Sequence, residues 1–309
     1  MSNPCFEKNQ PYSITGSIKA IAFPFTLILA VAGCAVQNPS SADVADRARC
    51  PFEGVELTLH VKPTSETSRV TPEVNEAVRQ VLKERITGLG VRGAAIESVN
   101  SDRLLIQLPG LNDTQQAQRV LGNTGQLNFR KQKPGTEAQL PIELQIRREL
   151  VEKRSQLQQS GNEKAVAENQ QAIDRSNNAI AKLFEGSELT GKNLKDAHAQ
   201  PTQAGVGWEI AVRFDQVGGK AFAQLTKDMA GTGRSIGIFL DNELLSAPVV
   251  AAEYAQNGIT GGLAIITGSF TAQQANELSV QLQSGALPAP VEILSTRQVK
   301  KSQTSCNNP

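Results

Sequence analysis

The stretch Gly54–Val61, GVELTLHV, decides how the rest of the chain is read. Val55, Leu57, Leu59 and Val61 take every second position, the period of a strand with one face in a core and the other toward water. His60 falls on the opposite face, as a solvated side chain rather than a ligand. Downstream, Thr71 and Pro72 mark a helix start, because threonine caps well and proline at the first helical position gives up an N–H that would have no partner. Val74, Val78, Val81, Leu82 and Leu89 then form one apolar stripe ending near Gly88 or Gly90.

AAIESV and RLLIQL follow as two strands joined by a polar turn at Asn100 to Asp102, and Leu108-Pro109-Gly110 stops the second. Asp113 to Leu121 reads as a short helix closed by Gly122. QLNFRK, with Leu127 and Phe129 alternating, adds a strand. The order is β-α-β-β-α-β, and it recurs further on. WEIAVRF puts Trp208, Ile210, Val212 and Phe214 on one face, a phase that makes Trp208 a core anchor rather than a binding aromatic. Phe222, Leu225 and Met229 have helical spacing within Gly218 to Met229. SIGIFL and LLSAPVV are strands around a turn at Asp241 and Asn242, and LAIITG is another. Thr271 and Gln274 form a capping box for a helix with Ala275, Leu278 and Leu282 inward, ended by Gly285 and by Pro288 and Pro290. VEILSTRQV is the final strand.

Between the two units, Pro141 to Phe184 changes character. It is rich in Gln, Glu, Lys, Arg, Asn and Ala, with thin stripes of Ile146, Leu150 and Leu157, then Val166, Ile173 and Ile180. Two antiparallel helices turning at Gly161 and Asn162 align those stripes. The hairpin is either a solvated arm or a partner-docking one.

Upstream, Lys8 and Lys19 precede an apolar run from Ala20 to Gly33, which includes Pro24. That run is shorter than the roughly 20 residues a helix needs to cross the hydrocarbon core. A basic region, a short apolar core and small residues before a break point organise a secretory signal. Val31, Ala32, Gly33 and Cys34 resemble a bacterial lipobox, so Cys34 is the expected lipidation site. An ordinary signal peptide and an uncleaved anchor helix are the other readings. Acyl chains add about 0.8 kcal/mol per buried methylene, so two or three make attachment durable. Residues 37 to 49, rich in Ser, Ala, Pro and Asp, form a tether.

Lys plus Arg (31) nearly balances Asp plus Glu (30), so no bulk field favours nucleic acid. His60 and His198 are far apart and the four cysteines lack CxxC spacing, which leaves little for a metal. Cys50 and Cys306 either pair in an oxidising compartment or remain free thiols. No converging nucleophile, base and charge stabiliser is visible: GxSxG and HExxH are absent, and GGKA at Gly218 to Ala221 lacks the rest of a phosphate loop. No enzyme activity and no cofactor are expected. The residues point to an exported binding or mechanical protein.

VLKERITGLGV, RLLIQLPGLND, GNTGQLNFR, VRFDQVGGKAFAQLT, SIGIFLDNELLSAPVV and ITGSFTAQQANELSVQLQSGALPAPVEIL, in this order, resemble SecD, the accessory membrane subunit of the bacterial Sec protein translocase. The resemblance covers about Gly54 to Val299 apart from the helical insert. It implies an α+β fold, with a ferredoxin-like base and an inserted α+β head subdomain, plus the helical hairpin insert. The expected boundaries are a lipoprotein signal peptide at 1–33 and a tether at 34–50. The base takes 51–135 with 291–300, the hairpin 138–184, the head 185–290, and a disordered tail 301–309. A base closed by both chain ends brings Cys50 and Cys306 nearer and favours the disulfide.

The resemblance further implies a head that binds unfolded secretory polypeptide emerging from the channel and hinges on the base near Glu185 to Thr190 and Ala286 to Pro290. Expected partners are that polypeptide, Sec translocase membrane subunits, and the membrane through the anchor; nucleic acid is not one. The expected location is the periplasmic face of a bacterial membrane. Two departures stand out. The family's opening GLDLxGG is here GVELTLHV, and no apolar run of 18 follows Lys300, so a domain without its own proton-conducting bundle is expected.

Overall fold

The structure, a computed structural model, describes residues 52–64 and 68–300. The expected leader, tether and tail, and with them Cys34, Cys50 and Cys306, lie outside the described residues. Along the chain come β1 (Gly54–Val61), α1 (Pro72–Gly88), β2 (Ala95–Ser98), β3 (Arg103–Pro109) and α2 (Thr114–Gly122). β4 (Leu127–Gln132) precedes the hairpin helices α3 (Gln139–Gln159) and α4 (Glu163–Lys182), followed by β5 (Phe184–Thr190), β6 (Leu194–Pro201) and β7 (Trp208–Phe214). Then come α5 (Gln216–Met229), β8 (Ile236–Leu240), β9 (Glu243–Ser246), β10 (Leu263–Phe270), α6 (Ala272–Ser284) and β11 (Val291–Val299).

The base is one antiparallel sheet in the order β11-β1-β3-β2, the ferredoxin-like arrangement, covered by α1 and α2. β1 sits between β11 and β3, with Gly54 opposite Val299 and Val61 opposite Val291. Its alternation does what the period demands: Val55, Leu57, Leu59 and Val61 are all fully buried, each contributing about 1.5–3 kcal/mol of transfer free energy. Thr71 caps α1 through its hydroxyl on the Val74 N–H, and Asp113 caps α2 on the Gln116 N–H.

The head holds two sheets, β10-β7-β6 and β5-β4-β8-β9, packed around α5 and one face of α6. This corrects the sequence reading in three places. β4, written with the base at 51–135, pairs with β5 and β8 and belongs to the head's four-stranded sheet. The fourth strand of the base is β11, within the 291–300 stretch expected there, and it arrives only after the whole insertion. The second β-α-β-β-α-β run does not close as one sheet, because β7 and β10 pair with each other while β8 and β9 extend β4. Finally, Glu185 to Thr190, placed near a hinge, lies within β5 and is paired along β4.

The hairpin turns at Gly161, whose φ of +68° suits a residue without Cβ, and Asn162 caps α4 on the Ala165 N–H. Its foot is anchored: Leu140, Ile180, Leu183 and Phe184 form a satellite core with Phe239 and Leu244, and the Phe184 and Phe239 rings meet edge to face at 5.1 Å. Higher up, Ile142, Ile146 and Val151 are exposed, so Ile146 is not in the inward stripe the spacing suggested.

α6 lies between the lobes. Ala275, Leu278 and Leu282 enter the head core, while Val280 enters the base core beside Gly88. The rest of its base-facing side is polar. Glu277 accepts two hydrogen bonds from Arg119 at 2.8 and 2.9 Å, and Gln281 Nε2 donates to the Arg119 carbonyl at 2.8 Å.

Candidate functional site: an open apolar cavity in the head

The two head sheets do not hydrogen-bond to each other along their length, and a cavity of about 430 Å³ opens between them. Phe129 of β4, Phe222 of α5 and Ile236 and Ile238 of β8 line its floor. Its rim is the extended segment Pro248 to Ala251 on one side and Leu263 to Ile265 of β10 on the other. Val249, Leu263 and Ile265 are 56%, 62% and 43% exposed, a cluster of large apolar side chains facing water at one place.

The sequence builds the floor from aromatic stacking. Phe129, Phe214 and Phe222 form a triplet with ring centroids 5.2 to 6.4 Å apart, held by α5, whose first turn is capped by Asp215 on the Gly218 N–H. Thr226 faces the cavity, but its hydroxyl donates to the Phe222 carbonyl at 2.8 Å and accepts from the Ile259 N–H at 2.7 Å. No charged side chain lines the space. Two charges that β4 carries just past Phe129 are engaged elsewhere. Lys131 bonds Asp228 at 2.6 Å and holds that carboxyl below its ordinary range, and Arg130 lies 4.2 Å over the Phe239 ring with its pKa lowered by burial. Such a lining accepts an apolar side chain and offers nothing to an anion or a metal.

β10 adds a backbone feature. It is the end strand of its sheet, with β7 on one side only. The Phe214 N–H bonds the Gly262 carbonyl, and the register continues through Leu263 opposite Arg213 and Ala264 opposite Val212. Antiparallel alternation therefore turns the N–H and C=O groups of Ala264 and Ile266 toward β7, and those of Leu263 and Ile265 outward. An edge strand with outward backbone groups and exposed apolar side chains, beside an apolar cavity, is a template for an added strand.

Of the residues singled out in the sequence, His60 and His198 stay apart. His60 on β1 lies 3.4 Å from Asp102 in the base, and His198 on β6 lies 3.8 Å from Asp196 in the head. Among the described residues no cluster of three or more potential metal ligands occurs. Trp208 is half-buried against the head core. The rim residues Val249, Leu263 and Ile265 were not found from sequence. LAIITG is apolar on both faces, and only the exposed pair within it signals the edge.

A ferredoxin-like sheet whose last strand returns from an inserted two-sheet head defines a base-and-head α+β domain. Residues 162–289 match the family SecDF, P1 head subdomain, and residues 75–134 match the family Protein translocase subunit SecDF, P1 domain, N-terminal. The chain belongs to the SecD/SecDF family through this P1 domain. Protein translocase subunit SecD of Synechocystis sp. is 47% identical over 250 residues, covering 80% of this chain and 53% of that protein. SecD of Prochlorococcus marinus is 36% identical over 276 residues, covering 80% and 56%. The chain thus spans little more than half the length of these curated relatives. A solved structure described as that of a membrane component SecDF that enhances protein export superposes with a TM-score of 0.56 at 26% identity, covering 79% of this chain and all of that one. SecDF in a super-membrane-facing form gives 0.56 at 25%, covering 82% and 32%.

Proposed function

We propose that this domain serves Sec-dependent protein export by holding polypeptide as it leaves the channel, and that the head cavity with the β10 edge is where it holds. The observation that carries this is the pairing of a neutral apolar cavity with outward backbone groups on Leu263 and Ile265. An unfolded chain offers apolar side chains and unpaired amides, and this site engages both without reading a sequence. One buried side chain contributes about 1.5–3 kcal/mol before the entropy of ordering is subtracted. Grip is therefore weak and reversible, as a passing chain requires. No catalytic step and no cofactor belong to this reading.

The test is fluorescence anisotropy of an unfolded, apolar secretory peptide against the full chain and against Ile265→Asp. Binding by the parent and loss of at least about tenfold in the variant are expected, because a carboxylate at the rim cannot be desolvated cheaply. Equal binding by both would remove the site.

In this reading the domain stands on the periplasmic face, tethered by acyl chains on Cys34, and meets the membrane subunits of the translocase. Among the described residues no helix is long and apolar enough to cross a membrane. Intact mass of the mature N-terminus tests the anchor: retention of residues 1–33 would exclude it. The Cys50–Cys306 disulfide is supported by the Gly54–Val299 pairing, which starts the two flanking segments side by side. Non-reducing peptide mapping decides it.

A second reading is a scaffolding protein that docks through the hairpin, favoured by exposed Ile142, Ile146 and Val151 on α3. Replacing residues 145–176 by a short turn leaves the satellite core in place and separates the two. Retained peptide binding supports the export reading, and loss of every partner supports the scaffold.

A further inference from the structure

The chain passes between base and head twice, at residues 123–126 leading into β4 and at 285–290 leading into β11. One side chain touches both passages. Arg85, in the last turn of α1, is fully buried; the hydrogen bonds of its two Nη atoms all go to backbone carbonyls, and its Nε has no partner. Nη1 donates to the carbonyls of Val120 at 2.9 Å and Asn123, and Nη2 donates to those of Thr124 at 2.8 Å and Gly285 at 3.2 Å. Val120 lies in the last turn of α2 and Asn123 is the residue that ends it, and their carbonyls would otherwise lack partners. Thr124 and Gly285 lie beyond the helix, one on each passage.

The head approaches the same place with opposite charge. Asp241, in the β8–β9 turn, accepts from the Gly125 and Gln126 N–H groups at 2.8 Å each, and its own N–H bonds the Gln126 carbonyl at 3.0 Å. The first passage is thus held by its carbonyls from the base and by its amides from the head. Leu287 N–H bonds the Thr124 carbonyl at 2.8 Å and ties the two passages to each other. Gly125, at φ +80°, fits because a Cβ there would stand 2.6 Å from Arg85 Nη2. Burial draws the guanidinium down to about 10, opposed by the charge of Asp241, so it remains a cation at neutral pH.

A buried cation without a direct carboxylate contact carries a desolvation cost of several kcal/mol, more than capping one helix end returns. What the rigid fork does that a cap could not is span two segments far apart in sequence. The geometry assigns Arg85 as the positioning residue of the joint: it fixes how the head is seated on the base, with Asp241 as its counterpart on the head side. This goes beyond the polypeptide reading and does not depend on it.

The test uses the full chain without peptide. Exposed Arg92 in the base and Lys195 in the head are each replaced by an azide-bearing amino acid, labelled with spin probes, and the interlobe distance distribution is measured in the parent, Arg85→Lys and Asp241→Asn. Lysine keeps the charge but concentrates its donors at one point, so Arg85→Lys is expected to broaden or shift the distribution. Amide exchange at 123–126 and 285–290 should rise about tenfold while β1 and β7 stay protected. Asp241→Asn should speed exchange at Gly125 and Gln126 only. An unchanged distribution in Arg85→Lys overturns the assignment. So does protection lost evenly through both lobes, or an unfolded Arg85→Lys together with Asp241→Asn behaving as the parent. The peptide-binding comparison at Ile265 can fail without touching this result, and the reverse holds too.

Discussion

Base and head are built from the same kinds of element, yet they end differently. In the base, one four-stranded sheet is sealed by two helices, and every inward residue of β1 is fully buried. In the head, strands are divided between two sheets that leave a cavity and an open edge at β10. The difference is in what each lobe leaves open: the hollows on the base are lined largely by polar and charged side chains of α1, whereas the head leaves an apolar cavity beside a strand edge. The largest expected effect sharpens this contrast. Leu57→Ala in the base should cost about 2–5 kcal/mol in denaturant unfolding, since a sealed core cannot collapse around the void. Leu263→Ala at the head rim removes the same atoms and should stay within about 0.5 kcal/mol, because that side chain is already wet. Similar losses at both positions would break the comparison.

The lobes share α6, so a change there tests whether they melt together. Thr271 and Gln274 close a reciprocal capping box at its start. Thr271→Ala should cost about 1 kcal/mol and lower one shared transition by differential scanning calorimetry. Two resolved transitions would show that α6 belongs thermally to the head alone.

Much of the base was legible because its signals are local: alternation in β1, Thr71 with Pro72, Asp113 before α2. That VEILSTRQV returns to the base came with the family resemblance rather than with its alternation, which QLNFRK shares; that QLNFRK pairs within the head was not legible, because nothing in its period names its partner strands. β5 and β6 were missed for a different reason. FEGSELT and LKDAHAQP have little apolar alternation and are strands because β4 and β7 offer them partners. Arg85 sits in a helix as an ordinary charged residue would, so neither spacing nor composition marks it as buried. The cavity escaped notice because an edge is defined by an absent neighbour.

Acid should weaken both lobes by the same mechanism. Asp113 in the base is held below its ordinary value chiefly by the Gln116 N–H, and Asp228 in the head by Lys131. A carboxylate with a depressed folded pKa contributes stability above its unfolded pKa and loses it as pH falls through the folded one. Stability should be level toward neutral pH and decline below about pH 4. Asp228→Asn should flatten part of that decline; an unaltered acid limb would mean that other carboxylates dominate it.

A finer contrast lies at the rim, where substitutions separate backbone roles within β10. The Ala264 N–H points toward Val212 in the ladder, whereas the Ile265 N–H points outward. Proline is tolerated on an edge strand when the N–H it removes faces solvent. Ile265→Pro should therefore cost no more than about 1 kcal/mol, while Ala264→Pro should cost clearly more because it deletes a ladder bond. Peptide binding should move the other way: Ile265→Pro removes a donor an added strand would use and should weaken binding severalfold despite an intact fold. Undiminished binding by Ile265→Pro would show that the cavity grips side chains alone and that the edge takes no part.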